Sequence, residues 1–195
     1  MKLYLIRHGQ TEANVTYTYC GRTDLPLSEE GKKQLGKMRE AGGYPDLNGL
    51  DVYTTGMIRT DQTFRILFGD APHKLKRSFR EMDFGEFEGK TYNDLKDLPE
   101  YQAWISGDHM SNRCPGGESG NIMKRRVLRG LSALLKKDRD ALVVCHGGTI
   151  AMIFEHCFPD SGLNWYEIQP DNGTGYLIEF EGTSPLRWKR MPEHI

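Results

Sequence analysis

Short apolar runs alternate with segments of helical periodicity along the chain, and this alternation constrains the fold more than any other feature. The runs Lys2–Ile6, Leu50–Thr54 and Ala141–Cys145 have the length and composition of buried strands. One helical face before the last of them carries Met123, Val127, Leu131, Leu134 and Leu135. Strands that alternate with helices form parallel sheets with helices on both faces. We therefore predict an α/β fold, a three-layer α/β/α sandwich with a mostly parallel sheet.

Local signals set the remaining predicted elements. Ser28 is a suitable N-cap, the following glutamates favour the positive end of a helix, and Gly42 ends the helix predicted over Ser28–Glu40. The other predicted elements are helices at Met57–Phe68 and Thr149–Cys157, two short helices within Thr91–Ser106 broken at Pro99, and strands at Lys74–Arg77, Gly175–Glu181 and Leu186–Arg190. No repeat or linker separates them, so residues 1–195 are predicted to form a single domain.

Charge and cysteine content exclude several classes of protein. Lysine and arginine number 26 against 27 acidic residues, a net charge of −1, which argues against a polybasic nucleic-acid binder and an acidic disordered tail. The apolar run at the start is too short for a signal peptide, and no stretch approaches the roughly 18 apolar residues of a membrane span. The four cysteines form no C-x-x-C pair. We expect a cytoplasmic protein with free thiols, without a nucleic-acid or membrane partner.

Two of the apolar runs end in the same way, on a histidine followed by glycine. The first leads into Arg-His-Gly at residues 7–9, and the run Ala141–Cys145 leads into His146 and two glycines. Ligands of open parallel sheets bind beyond the carboxyl ends of the strands, where glycine lets backbone N–H groups approach an anion. A single histidine of this kind is usually satisfied within its own turn. The pair, with Arg7 beside His8, favours one shared anion-binding cleft.

Three further side chains join this candidate site. Arg59 lies near the start of a predicted helix, and an arginine fork suits bidentate contact with phosphate. Asn14 offers a neutral donor near His8, and Glu81 offers a carboxyl group. Arg59 or Glu81 alone would be interpreted as a surface charge. They indicate a site only in combination with Arg7 and the two histidines.

These residues resemble the signature of the histidine phosphatase superfamily, the phosphoglycerate mutase-like group. The resemblance begins with Arg7-His8-Gly9-Gln10-Thr11 and Asn14, and covers nearly the whole chain. The later blocks are Asp24-Leu25-Pro26-Leu27 through Gly31, Arg59 with Gln62-Thr63, Glu81 with Phe84-Gly85 and Glu88-Gly89, Pro115-Gly116-Gly117-Glu118-Ser119, and Val144-Cys145-His146-Gly147-Gly148. Gln10 stands where glutamate is commoner and Phe87 where tryptophan is common, and neither departure removes a catalytic group. The resemblance implies a phosphoglycerate mutase-like fold.

The resemblance also implies roles for individual residues. His8 would be the nucleophile that becomes phosphorylated, and Glu81 would protonate the leaving oxygen and then activate water. The phosphoryl oxygens would be neutralised by Arg7, Arg59 and His146, with His146 cationic or donating. The expected substrate contacts are Gln10, Asn14, Gly21, Arg22 and Gly147. No metal and no other cofactor is implied, and the sequence holds no H-x-H or H-E-x-x-H pair.

The length and cation content of the cap segment, at about residues 90–115, distinguish two branches of the superfamily. Mutases of this group carry a longer insertion with several cations after the catalytic glutamate, whereas this cap segment offers Lys90, Lys96 and Arg113, with His109 titratable. We therefore predict hydrolysis of a small phosphorylated metabolite, such as α-ribazole phosphate or a sugar phosphate. The segments 19–22 and 101–104 resemble the small bacterial phosphatases of the α-ribazole phosphatase type.

Several alternatives remain open from the sequence. A cofactor-dependent phosphoglycerate mutase would use the same site, and a non-catalytic binding protein would use the same fold. Arg22 either contacts the substrate beyond its phosphate or is a solvated loop charge. Tyr101 and Trp104 either line a pocket for a sugar or base or, given their helical spacing, belong to the core. Cys145 is interpreted as a buried, inert thiol, and the oligomeric state is not predicted.

Overall fold

The structure, a computed structural model, describes residues 1–108 and 110–192, so His109 lies outside the described residues. The strands are β1 (Lys2–Arg7), β2 (Asp51–Thr54), β3 (Lys74–Leu75), β4 (Ala141–Cys145), β5 (Gly175–Glu181) and β6 (Ser184–Met191). The helices are α1 (Glu12–Val15), α2 (Glu29–Ala41), α3 (Ile58–Phe68), α4 (Tyr92–Leu95), α5 (Pro99–Ile105), α6 (Gly120–Leu135), α7 (Gly147–Cys157) and α8 (Trp165–Ile168). Short 3₁₀ turns lie at Arg77–Phe79 and Gly85–Phe87.

Within the described residues, the strands form one six-stranded sheet in the order β3-β2-β4-β1-β5-β6. The first four run parallel, and β5 and β6 add an antiparallel edge. The predicted mostly parallel sheet is therefore confirmed. Because β4 lies between β1 and β2, the carboxyl ends of these three strands meet at one edge. Arg7 pairs with Cys145 and Thr54 with Val144, so the residues that follow each strand emerge side by side.

Helices cover both faces of the sheet, which confirms the three layers. Alternate residues of β4 point to opposite faces, as the strand period requires. Val143 and Cys145 pack with α6 and α7 in one buried cluster, whereas Leu142 and Val144 pack with α2 and α3 in another. The helical stripe predicted from Met123 to Leu135 lies entirely in the first cluster.

A third buried cluster lies beneath the cap segment. Phe87, Leu95, Tyr101 and Cys114 form its centre. Tyr101 is only 2% exposed, and its hydroxyl lies 2.7 Å from that of Tyr19. Tyr101 is therefore a core residue of the cap, and the alternative of a pocket wall does not hold for it. Pro99 stands in the first turn of α5, where the missing N–H costs no helical hydrogen bond, so the predicted break between two short helices is also confirmed.

The largest differences from the sequence prediction are one shortened strand, two additional short helices and one earlier helix start. The strand predicted over Lys74–Arg77 ends at Leu75, because its neighbour β2 ends at Thr54 and the chain then turns into the 3₁₀ segment. Helices α1 and α8 were missed, since each is a single turn held by a local capping box. Helix α7 begins at Gly147 rather than at Thr149. The sequence prediction starts too late because glycine by itself disfavours a helix.

Across the described residues, no helix combines the length and apolar character needed to cross a membrane. All four cysteines are free, and Cys114, Cys145 and Cys157 are buried. Burial raises the pKa of the Cys145 thiol above its usual value, as expected for an inert core residue.

Candidate active site

The candidate site is built where three neighbouring parallel strands end. His8 follows β1, Thr55 follows β2 and His146 follows β4. The backbone N–H of His8 donates to the carbonyl of Cys145 (3.0 Å), which extends the β1–β4 pairing by one step. The two imidazole rings meet edge to face, with centroids 5.2 Å apart. The two imidazoles predicted to share one cleft therefore lie side by side at the carboxyl edge of the sheet.

His8 is held with one ring nitrogen free. Its Nδ1 lies 2.7 Å from the carbonyl oxygen of Gly9, which can only accept, so Nδ1 carries the hydrogen and Nε2 keeps a lone pair. Burial, together with the charges of Arg59 and Arg7, holds the pKa of His8 well below its usual value. A neutral imidazole with a free Nε2 is a competent nucleophile near pH 7.

His146 is oriented by a chain of threonine hydroxyls. Thr60 Oγ1 donates to the carbonyl of Met57 (2.8 Å) and therefore accepts from Thr55 Oγ1 (3.1 Å). Because the Thr55 hydroxyl donates its only hydrogen to Thr60, it accepts from Nε2–H of His146 (3.0 Å). Nδ1 of His146 is buried and has no partner among the described residues.

His146 is neutral in the ligand-free protein. Burial lowers its pKa well below the usual value, and the charge of Arg59 acts in the same direction. The cationic form, one of the two forms that the resemblance implies, is thus not the resting form. An anion facing Nδ1 would favour the imidazolium, whose Nδ1–H could then donate to it.

One buried and one partly buried guanidinium group lie close enough to His8 for their charges to act on it. Arg59 is 1% exposed and donates to the carbonyls of Thr23 (2.9 Å) and Gly21 (2.8 Å). Arg7 donates to the carbonyl of Pro170 (2.8 Å). The Nε atoms of both arginines are buried without a hydrogen-bond partner in the described part of the chain. Buried charged donors are costly unless an acceptor meets them, so these atoms mark an anion site.

Glu88 shapes the loop that carries the acceptors of Arg59. Its carboxylate accepts from the backbone N–H groups of Gly21, Arg22, Thr23 and Phe84 and from the Thr23 hydroxyl. The loop is folded so that its carbonyls point to Arg59. The N–H and carbonyl groups of Gly21 are thus engaged within the chain, and a Cβ at this position would collide with the carbonyl of Met82.

Glu81 reaches the site from the other side. Its Oε2 accepts from the N–H of Gly148 (2.9 Å) at the start of α7, and its Oε1 accepts from the N–H of Met82 (2.9 Å). A Cβ at Gly148 would collide with this carboxylate, so glycine permits the close approach. Arg126 clamps the segment behind Glu81 by donating to the carbonyls of Ser78, Arg80 and Glu81.

The remaining predicted contacts lie around this centre. The N–H of Gly147 meets no acceptor among residues 1–108 and 110–192 and lies at the positive end of α7. Asn14 accepts from Thr11 through Oδ1 (3.0 Å to its N–H), and its amide hydrogens meet no acceptor in the described part of the chain. Gln10 receives a hydrogen bond from Ser28 on its Oε1 (3.3 Å), and Arg22 pairs with Asp83 at 3.0 Å.

Comparison with known proteins identifies the family. The family model described as histidine phosphatase superfamily (branch 1) matches residues 3–190. The chain belongs to this superfamily.

The relatives of this histidine phosphatase chain include both enzymes weighed from the sequence. It is 28% identical to the adenosylcobalamin/alpha-ribazole phosphatase of Salmonella typhimurium, over 96% of this chain and 95% of that protein. It is 30% identical to the 2,3-bisphosphoglycerate-dependent phosphoglycerate mutase of Rhizobium etli, over 76% of each. The solved alpha-ribazole phosphatase of Shigella flexneri superposes with a TM-score of 0.81 at 26% identity, covering 95% of this chain and 93% of that one. The phosphoglycerate mutase-like fold is confirmed, and the family supports a phosphatase reaction.

Sequence reasoning on this histidine phosphatase missed four supporting residues: Thr55, Thr63, Glu88 and Arg126. Thr63 accepts from the N–H of Gly9 (2.9 Å) and donates to the carbonyl of Arg59 (2.7 Å), which ties the His8 loop to α3. Glu88 and Thr63 stand inside motif blocks and could have been singled out there. In the described residues, no group of three or more His, Cys, Asp or Glu side chains is placed to hold a metal ion.

Proposed function

We propose that this protein is a metal-independent phosphomonoesterase that hydrolyses a small phosphorylated metabolite through a phosphohistidine intermediate. The observation that carries the proposal is the free Nε2 of a neutral, buried His8 beside the unpartnered Nε–H groups of Arg7 and Arg59. A phosphoryl group placed there meets a nucleophile and fixed positive charge together, the two requirements of phosphoryl transfer.

The first step transfers the phosphoryl group to His8. Nε2 attacks phosphorus while the bond to the ester oxygen breaks, and the carboxyl group of Glu81 gives its proton to that oxygen. Arg7, Arg59 and the N–H of Gly147 stabilise the phosphoryl oxygens, with His146 donating from Nδ1. The second step reverses the roles: Glu81 takes a proton from water, the water oxygen attacks phosphorus, and the bond to His8 breaks.

Trapping the intermediate tests this mechanism. Acid-labile phosphate should appear on His8 when a reaction with a ³²P-labelled ester is stopped by denaturation under alkaline conditions. His8→Ala should lose both the label and turnover. His156→Ala, which alters an exposed histidine on α7, serves as the matched control and should retain both. Label that persists without His8, or turnover abolished by a chelator, would contradict the proposal.

The choice of hydrolysis over phosphate transfer rests on the cap. Its cations Lys90, Lys96 and Arg113 are exposed, and Arg113 is engaged with the carbonyl of Gly117 (2.6 Å). We propose α-ribazole phosphate and sugar phosphates as the first substrates to assay, since the relatives named above include alpha-ribazole phosphatases. A mutase would instead need a bisphosphorylated primer and would interconvert phosphoglycerates faster than it releases phosphate.

A further inference from the structure

A small cavity of about 90 Å³ opens beside Glu81 and has a markedly cationic wall. Its lining residues are Arg22, Arg77, Arg80, Glu81, Glu118 and Arg126. A water molecule occupies roughly 30 Å³ of liquid, so the cavity has room for a small polar group. The location matters because Glu81 is the proposed acid at the ester oxygen, and the remainder of the substrate must lie on its side of the site.

Two of the four arginines have acidic partners. Arg126 forms a two-point ion pair with Glu118 (2.8 and 2.7 Å) and also holds three carbonyl groups, so it serves the framework. Arg22 pairs with Asp83 at 3.0 Å, but this guanidinium is 58% exposed and the pair is weak in water. Glu81 is engaged by two backbone N–H groups.

Arg77 and Arg80 have no carboxylate within ion-pair distance in the described part of the chain. Arg80 donates from Nε to the carbonyl of Thr55 (3.1 Å), which fixes its guanidinium at the cavity. Burial lowers the pKa of Arg80, and the nearby charges of Arg22, Arg77 and Arg59 lower it further, against an opposing effect of Asp24. Arg77 is exposed. Like charges close together without carboxylate partners lower the stability of the free protein, and an anion between them would relieve that repulsion.

On the basis of the proposed function, we infer that this cavity is a second anion subsite. The preferred substrate is then a phosphomonoester whose alcohol part carries a further anionic group, carboxylate or phosphate, within a few atoms of the ester oxygen. Arg77 and Arg80 bind that group, with Arg22 closing the rim. The short cap segment contributes none of these cations, so specificity lies in the loops after β1 and β3.

Three esters that differ at one end test the subsite: 2-hydroxyethyl phosphate, phosphoglycolate and ethane-1,2-diol bisphosphate. We expect kcat/KM to be about tenfold or more higher for an anionic ester than for the neutral one, the size of a charge-assisted hydrogen bond. The better of the two anionic esters identifies carboxylate or phosphate as the ligand. Arg77→Gln and the double variant Arg77→Gln/Arg80→Gln should reduce the preference progressively, and added salt should weaken it.

Arg139→Gln is the matched control, since it removes the same charge before β4, at the opposite edge of the sheet. It should keep the preference. Equal kcat/KM for the three esters, or a preference that survives the double variant, would overturn the subsite. Binding of the same esters to His8→Ala, measured by calorimetry, reports on the subsite without turnover. Absence of turnover and of phosphohistidine in the unaltered enzyme would instead contradict the proposed function.

Discussion

The hydroxyl of Thr55 decides which nitrogen of His146 faces the proposed phosphate site. It accepts from Nε2–H because its own hydrogen is given to Thr60. The same hydrogen bond supports the imidazolium that an anion would favour. Thr55 is therefore a positioning residue, one step removed from the reacting atoms.

Thr55→Val should lower kcat/KM by roughly 10- to 100-fold, the value of a hydrogen bond to a charged group. Loss of the acceptor destabilises the His146 imidazolium, so the pH optimum should move towards acid. Thr55→Ser should restore both the rate and the pH profile. A rate loss without any shift in the profile would indicate only a packing defect.

Glu81→Gln should slow esters with poor leaving groups much more than activated aryl esters. The amide keeps the shape of the side chain but cannot give a proton to the departing oxygen. The measurement is kcat/KM across a series of phosphate esters of rising alcohol pKa. Equal loss across the series would mean that Glu81 is not the acid.

At the scale of elements, the site depends on loops that are braced by carboxylates. Glu88 gathers the N–H groups of residues 21–23 and so positions the carbonyls that hold Arg59. Arg59 lies in the first turn of α3. Thr63 of the same helix accepts a hydrogen bond from the N–H of Gly9. Helix α3 therefore connects the two loops, at Gly9 and at residues 21–23, that surround the proposed phosphate pocket.

Glu88→Ala should lower the free energy of unfolding by about 2 kcal/mol, because several N–H donors lose their acceptor. It should also weaken inhibition by inorganic phosphate, since the acceptors of Arg59 are no longer held. Urea denaturation and the inhibition constant report the two effects. Glu86→Ala, at an exposed neighbour, is the control and should change neither.

Periodicity predicted the elements that pack on the sheet, and the motif blocks predicted which side chains meet at its edge. Helix α6 and strand β4 were clear because their apolar patterns reflect burial on one or both faces. The sequence did not reveal the resting charge of His146, which depends on its complete burial beside Arg59. It also did not reveal Thr55 or the cavity arginines Arg77, Arg80 and Arg126, because partners distant in sequence leave no local pattern.

For the whole molecule, two buried neutral histidines make stability depend on pH. Their pKa values are depressed in the folded state, so below about pH 6.5 the unfolded chain binds more protons. The free energy of unfolding should fall as the pH drops from about 7 to 5, by up to ~1.4 kcal/mol per pH unit for each histidine. Urea denaturation across this range should show a smaller slope for His8→Ala than for the exposed control His156→Ala.

The position of β4 between β1 and β2 also has a consequence for synthesis. A ribosome releases β1, β2 and β3 long before the strand that joins them, and His146 arrives 138 residues after His8. Until then the growing polypeptide holds His8, the proposed nucleophile, without its partner histidine and without the sheet edge that orients it. We therefore expect the proposed activity only after the last parallel strand has inserted, and a chain truncated before residue 141 should be inert towards cellular phosphate esters.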